Sequence, residues 1–402
     1  MAVASSAVRA EVVYSTGFEN PAATDLWQLN LAPTDTLSGV TTTEAHSGQS
    51  SILLNNAYTS WSTLYTVGTL NNDYERISYY SKGPGVALLD YRFQSAPSTD
   101  WQLNQIVTRV YYGYGCAISS KTNDPVYVDD LKMEIATGAD AATWSDGVYA
   151  SLPVHIVPPA PVNQLANIPN TINALHTGKP LNILMVGDSI VNDTWTSNWD
   201  TLVQRNNPGS KVDAYASVRG GGGANFYKLP GNVQKYILQY DPSGTSPYQP
   251  NVIMIGGISN GDAASVRDVV QQIRAAGSTA EIILMDMGAG SQEWYPLTTD
   301  WNAPIDPNGT DYRSQLYKVA LEEHTGFIDM SAVWGRYLQD LAALGQDDSI
   351  LKRDAIHTNQ YGQAVMARAI ESYFATYPAA APEPASLSLL ALGGLAFWRR
   401  RR

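Results

Sequence analysis

The chain has one cysteine, Cys116, in 402 residues. That excludes an internal disulfide and every metal or redox motif built on paired cysteines. Charge is scarce, at 15% of residues, and positive charge is scarcest: 25 Lys and Arg stand against 37 Asp and Glu, for a formal net charge of −12. Nucleic-acid binders present basic patches to the phosphate backbone, so this composition excludes that class of partner. Long apolar runs are missing as well. A comfortable bilayer span needs roughly 20 such residues, and the longest candidate, Ala385 to Trp398, offers 14 apolar or small ones. No solenoid-type repeat recurs along the chain. Histidine occupies only five positions, which narrows the search for a catalytic base.

Gly, Ser, Thr, Asn, Tyr and Trp are plentiful instead, a mixture suited to turns and half-exposed strands and to life outside the cytoplasm. The length allows two ordinary domains. Residues 1–10, "MAVASSAVRA", read as the remnant of a secretory signal, small residues closing on an A-x-A-like site, with the precursor's start expected upstream. From 11 to 136 the chain alternates in short runs such as "ERISYYS" and "NQIVTRVYYGYG", broken by Gly, Asn, Ser and Pro. The expectation for 11–136 is an all-β sandwich. Residues 137–180 form a linker, Pro-rich at "HIVPPAPVNQ" and carrying one helix that ends at Gly178 and Pro180.

From 181 to 377 the text changes. Apolar strands such as "LNILMV", "NVIMIGG" and "EIILMDM" alternate with segments of helical period such as "AASVRDVVQQIRAAG" and "QYGQAVMARAIESYF". That alternation predicts a parallel sheet with helices on both faces. Chemistry in such sheets gathers beyond the carboxyl ends of the strands. "LNILMVGDSI" runs a buried strand into a sharp turn and leaves the Ser189 hydroxyl at that rim.

A serine hydroxyl needs a base within hydrogen-bond reach. His46 lies in the sandwich, His155 and His176 in the linker, and His324 at the end of a predicted helix, where its charge complements the dipole. His357 stands in the polar loop "KRDAIHTNQYGQ", three residues after Asp354. That spacing lets the carboxylate take one ring nitrogen while the other faces the serine. Oxyanion donors belong at the ends of neighbouring strands. The candidates are the Ser189 N–H, Gly221 or Gly222 of the block Gly220 to Gly223, and the Asn260 amide in "GGISNGD", with an ordinary turn as the alternative for each block. Asp188 reads as a turn-former through its backbone N–H bonds. Glu19, Asp129 and Asp130 are candidate ligands of a structural calcium, with plain solvated charge as the alternative.

"VGDSI", the glycine block, "GGISN" and "DAIH", in that order, resemble the SGNH or GDSL hydrolases. The resemblance implies a flavodoxin-like α/β/α esterase with Ser189 as nucleophile, His357 as base, Asp354 as its orienter, an oxyanion hole from Ser189, a glycine and Asn260, and no cofactor for catalysis. "YSTGFEN", "EAHSGQSSILL" and "PVYVDDLKMEIA" resemble carbohydrate-binding jelly-roll modules, which implies a tethered module holding acylated polysaccharide or oligosaccharide. The end of the chain, 378–402, joins Pro-Glu-Pro, a short apolar stretch and four arginines. It resembles the PEP-CTERM sorting signal of Gram-negative bacteria, which implies an exosortase-type processing enzyme, transient membrane association and a place in the envelope, at the surface or in the matrix. Together these predict an exported esterase removing acyl groups, acetyl first, from carbohydrate. The alternatives are a surface or matrix carbohydrate-binding protein with an inactive hydrolase half, and a lipase or thioesterase acting on lipid acyl esters.

Overall fold

The computed structural model of the chain describes residues 12–375 apart from 20–26, 32, 58, 64–73, 90–91, 110–116, 156–164, 243, 287 and 291. The signal remnant, the sorting tail and most of the Pro-rich stretch lie outside the described residues.

The first half contains strands β1 (Val12–Thr16), β2 (Trp27–Asn30), β3 (Gly39–Thr41), β4 (Ser51–Leu54), β5 (Ser60–Thr63) and β6 (Tyr74–Gly83). They are followed by β7 (Ala87–Leu89), β8 (Phe93–Gln94), β9 (Ser98–Arg109), β10 (Ala117–Ser120) and β11 (Val126–Ala136). They form two antiparallel sheets, one ordered β3-β4-β11-β6-β9 with β1 also on β11, the other β2-β5-β10-β7-β8. β6 shows why: its residues alternate strictly between buried and half-buried, as a strand with one face on a core must. Ile52, Ile77, Tyr79 and Val128 of the first sheet meet Leu89, Phe93 and Ile118 of the second in one core.

The segment 137–180 corrects the expectation of a linker with one helix. It holds α1 (Gly138–Ala150) and α2 (Pro169–Thr177). α1 is opened by a capping box in which Thr137 and Asp140 satisfy each other's backbone N–H groups. α2 begins on Pro169 and stops at Gly178, whose φ of +71° supplies the left-handed C-cap. Both helices pack into the core of the second half through Ala142, Ala174 and Leu175.

That half runs β12 (Leu181–Gly187), α3 (Ser189–Trp195), α4 (Trp199–Asn206), β13 (Val212–Val218), α5 (Ala224–Tyr227), β14 (Val252–Ile255) and α6 (Ala263–Ala275). It continues through β15 (Glu281–Met285), α7 (Tyr312–Glu322), β16 (Gly326–Ile328), α8 (Met330–Ala343) and α9 (Gln360–Ala375). All five strands are parallel, in the order β13-β12-β14-β15-β16, a doubly wound order whose switch point lies at β12 and β14. Ile183, Met185, Met254 and Ile283 face one core with α3, α4, α8 and α9. Leu184, Val186, Ile253 and Leu284 face the other with α6 and α7. Among the described residues no helix is long and apolar enough to cross a membrane.

The two halves are joined by buried polar contacts. Arg109, at the end of β9, donates to the Ala214 carbonyl of β13 at 2.6 Å and to the Tyr74 hydroxyl at 2.8 Å, and forms an ion pair with Asp200 of α4. Arg109 and Asp200 are each 2% exposed. The Tyr74 hydroxyl donates to the same carboxylate at 2.6 Å, and Asn198 Nδ2 donates to Val107 O at 2.7 Å. The expected tether is therefore a docked, hydrogen-bonded unit.

Candidate active site

Ser189 opens α3 directly after β12, and the turn admits little else. A Cβ on Gly187 would lie 2.4 Å from Val191 and 2.5 Å from the Gly256 carbonyl, so the ends of β12 and β14 touch only because Gly187 lacks one. Asp188 caps α3: Oδ1 accepts from the Ile190 N–H at 2.9 Å, and Oδ2 accepts from the Ser259 N–H at 2.5 Å, tying the turn after β12 to the turn after β14. This is the turn-holding role that its sequence position implies. Ser189 is left half-buried at the rim, its N–H among the first-turn donors that a helix cannot use itself.

The histidine that meets Ser189 arrives from 168 residues away. His357 Nε2 stands 2.8 Å from Ser189 Oγ, and Nδ1 stands 2.8 Å from Asp354 Oδ2. The two lie on a hairpin closed by an antiparallel bridge between Lys352 and Thr358, with the Arg353 N–H donating to His357 O at 3.1 Å. Asp354 Oδ1 also accepts from the N–H groups of His357 at 2.8 Å and Ile356 at 2.9 Å. Partial burial alone would raise the Asp354 carboxyl. The bonds from the His357 ring and then from these two N–H groups outweigh it and hold the carboxyl far below the ordinary carboxylate range. The arrangement thus sets a carboxylate against Nδ1 and turns Nε2 toward a serine hydroxyl.

A residue that the sequence argument lacks holds this hairpin. Asp193 lies one turn after Ser189 on α3, fully buried. Its Oδ1 accepts from Arg353 at 3.1 Å, and its Oδ2 accepts from the Thr358 N–H and hydroxyl, each at 3.1 Å. One short helix thus carries both Ser189 and the anchor of the hairpin that brings His357 to it. The signal was present in "DSIVND" and "KRDAIH", an acid one helical turn past the serine and an arginine beside the acid of the hairpin.

Among the four glycines the structure redistributes the roles. The Gly222 N–H is spent in a tight turn on Arg219 O at 2.8 Å, and Gly221, with φ +66°, sits exposed at its tip. Gly223 is buried, and a Cβ there would fall 2.3 Å from the Ser259 carbonyl group and 2.4 Å from Asn260 N. The backbone that approaches Asn260 is therefore Gly223's, not that of Gly221 or Gly222. The Asn260 side chain is buried and fully engaged: Oδ1 accepts from the Ala224 N–H at 2.9 Å, and Nδ2 donates to Gly257 O at 3.1 Å and to the Tyr312 hydroxyl at 2.9 Å.

Similarities to known proteins add a destination. Residues 380–402 match the PEP-CTERM protein-sorting motif. The motif indicates export and association with the cell surface, and it implies processing by an exosortase. No curated protein matches the chain. Solved structures similar to it include a two-domain esterase active on acetylated mannans, 13% identical, with 56% of this chain covering 57% of that one at a TM-score of 0.39. A family two carbohydrate esterase from Cellvibrio japonicus is 13% identical over 86% of this chain and 96% of its own, with a TM-score of 0.29. A CBM22 xylan-binding domain from Paenibacillus barcinonensis is 16% identical over 31% of this chain and 95% of its own, with a TM-score of 0.25. The chain spans little more than half the length of the mannan esterase.

The candidate calcium ligands Glu19, Asp129 and Asp130 all bond the 46–50 loop. Glu19 Oε1 accepts from the N–H groups of Gln49 and Ser50 at 2.8 and 2.9 Å. Asp129 Oδ2 accepts from those of His46 and Ser47 at 2.8 and 3.1 Å, and Asp130 bonds the His46 ring and the Ser47 hydroxyl. Together the three acids hold the 46–50 loop onto β11. Among the described residues no group of three His, Cys, Asp or Glu side chains is arranged to hold a metal.

Proposed function

We propose that the protein is an exported serine esterase that removes small acyl groups, acetyl first among them, from polysaccharide at a Gram-negative-type cell surface. The reading rests on one observation, the continuous chain of bonds from Asp354 through His357 to Ser189 at the rim of the parallel sheet. On this reading the Ser189 Oγ attacks the ester carbonyl while His357 Nε2 takes its proton. The carbonyl oxygen gains negative charge and the acyl group passes to Oγ as the alcohol departs with the proton returned by His357. Water then repeats the sequence and frees the acid. Asp354 stays ionised throughout and steadies the imidazolium.

The oxyanion donors are assigned to the N–H groups of Ser189 and Gly223 and to the Asn260 amide, which exchanges its bond to the Tyr312 hydroxyl for one to the developing charge; resting-state bonds of this kind commonly rearrange when substrate binds. The α/β half is read as a flavodoxin-like SGNH hydrolase, and the two-sheet half as a jelly roll that binds the glycan. The test is acetate release from a panel of acetylated xylans, mannans and other glycans by the purified chain and by Ser189→Ala. Release by wild type alone supports the reading, and equal release by both refutes it.

A further inference from the structure

The all-β half reaches the catalytic hairpin itself. Gln94, the last residue of β8, and Gln360, the first of α9, exchange two bonds: the Gln94 N–H donates to Gln360 Oε1 at 3.1 Å, and Gln360 Nε2 donates to Gln94 O at 2.9 Å. The clasp fastens a sheet edge to the residue three places after His357. Beside it stands Lys121, just past β10. Its own N–H is fixed to Val86 O at 2.8 Å. Its ammonium donates to Gln94 Oε1 at 2.8 Å and to the backbone carbonyl of Lys352, the first residue of the hairpin, at 3.4 Å.

The hairpin's own cations are committed elsewhere, Arg353 to Asp193 and Lys352 to Asp348. Lys121 is therefore a cation that reaches the hairpin backbone at Lys352 from outside the α/β half. Burial pulls its ammonium below the ordinary lysine value and the Asp354 carboxylate works in the opposite direction, so the two charges feel each other. Half of the Asp354 side chain is open to solvent, and its position depends on the hairpin backbone that Lys121 and Gln94 hold.

We propose that Lys121, steadied by Gln94, is a positioning residue for the Asp354–His357 pair, so that the all-β half is a working part of the active site. The kinetic part of this proposal rests on the esterase reading. Gln94 and Lys121 touch neither Ser189 nor His357, and their effect reaches the reaction through the hairpin.

The test uses the full chain and 4-nitrophenyl acetate, too small to need a glycan surface. In Lys121→Met, kcat falls about five- to tenfold with KM within about twofold of wild type, because misplacing a catalytic group slows the chemical step more than binding. Lys121→Arg, which keeps charge and donors, recovers at least about half of kcat. Gln94→Met, which removes the side-chain amide that Lys121 bonds and leaves the backbone bonds to Gln360, falls in the same direction by about two- to threefold. Hydrogen exchange of the amides in 352–359 quickens in both methionine variants, a readout that needs no turnover. If wild type hydrolyses no ester while exchange still quickens, the brace stands and the esterase reading falls. Wild-type kcat together with wild-type exchange in Lys121→Met overturns the brace, and so does an equal loss in Lys121→Met and Lys121→Arg. Should Lys121→Met fail to fold, Gln94→Met alone decides by the same two measurements.

Discussion

The two halves bury their chains by different rules. In β12 the five residues Ile183 to Gly187 are all buried, since helices cover both faces of the sheet. In β6 every second residue is half-exposed, since only one face meets a core. The α/β half can thus hide its own apolar surface, whereas the sandwich leaves a face to be used. Part of that sheet, from Val107 to Arg109, is buried against the α/β half by an ion pair to α4 and bonds to backbone carbonyls as well as by the packing of Val107 on Ala141 of α1. Such an interface is specific in register but intolerant of losing a single partner.

The comparison can be broken hardest on the α/β side. Ser189→Ala is expected to lower kcat on a soluble ester by about a thousandfold or more while the melting curve stays in place, because the loss is chemical and confined to the nucleophile. Steady-state rates and a thermal scan of one preparation check both halves of that statement.

Next comes the seam. Arg109→Met leaves Asp200 buried without its partner, which typically costs about 3 to 5 kcal/mol. Denaturant unfolding should show that loss, and a second change, Asp200→Leu, should return much of it. A wild-type midpoint in the single variant would mean that the halves do not depend on each other there.

Within the sandwich, burial raises the Glu75 carboxyl to about 8. Its folded-state value therefore exceeds its unfolded one, so the folded chain keeps a proton that the unfolded chain releases. Stability is greatest below about pH 4 and declines as pH rises toward 8, by roughly 4 to 5 kcal/mol for a shift of this size. Glu75→Gln should flatten that slope and raise the melting temperature at pH 8, while an unchanged slope would mean that Glu75 ionises freely. The smallest effect is expected at Tyr227, whose hydroxyl faces the carbonyls of Gly187 and Ser217 at 3.0 and 2.8 Å. Tyr227→Phe should cost about 1 kcal/mol in denaturant midpoint.

These contrasts follow what could be read from sequence. β12, β14, β15 and the helices α6, α7 and α9 are visible in the text because local periodicity alone dictates them, and Ser189, Asp354 and His357 are visible because each sits in a polar turn next to such an element. α1 is hidden: its Gly, Ala and Asp residues make almost no apolar stripe, and only the Thr137–Asp140 box marks its start. Arg109 and Asp200 are hidden for another reason, standing 91 residues apart in two halves with no local pattern linking them. The choice among the four glycines depends on which N–H the Arg219 turn consumes, and that is decided by backbone angles rather than residue type. The bonds of the acidic residues at 19 and 129 to the 46–50 loop are hidden in the same way, since no local pattern links these distant positions.

The separation of Ser189 and Asp193 from the hairpin they hold also sets a clock. The nucleophile and its anchor leave the ribosome some 160 residues before Arg353 and His357, and the first half can collapse while they wait, since chains fold from the amino end as they emerge. The Lys352–Thr358 bridge and the Asn359 bonds to Leu351 and Ile350 can close only after this late segment has emerged. A chain threaded outward from its amino end would therefore bring Ser189 across the membrane well before the hairpin that it faces.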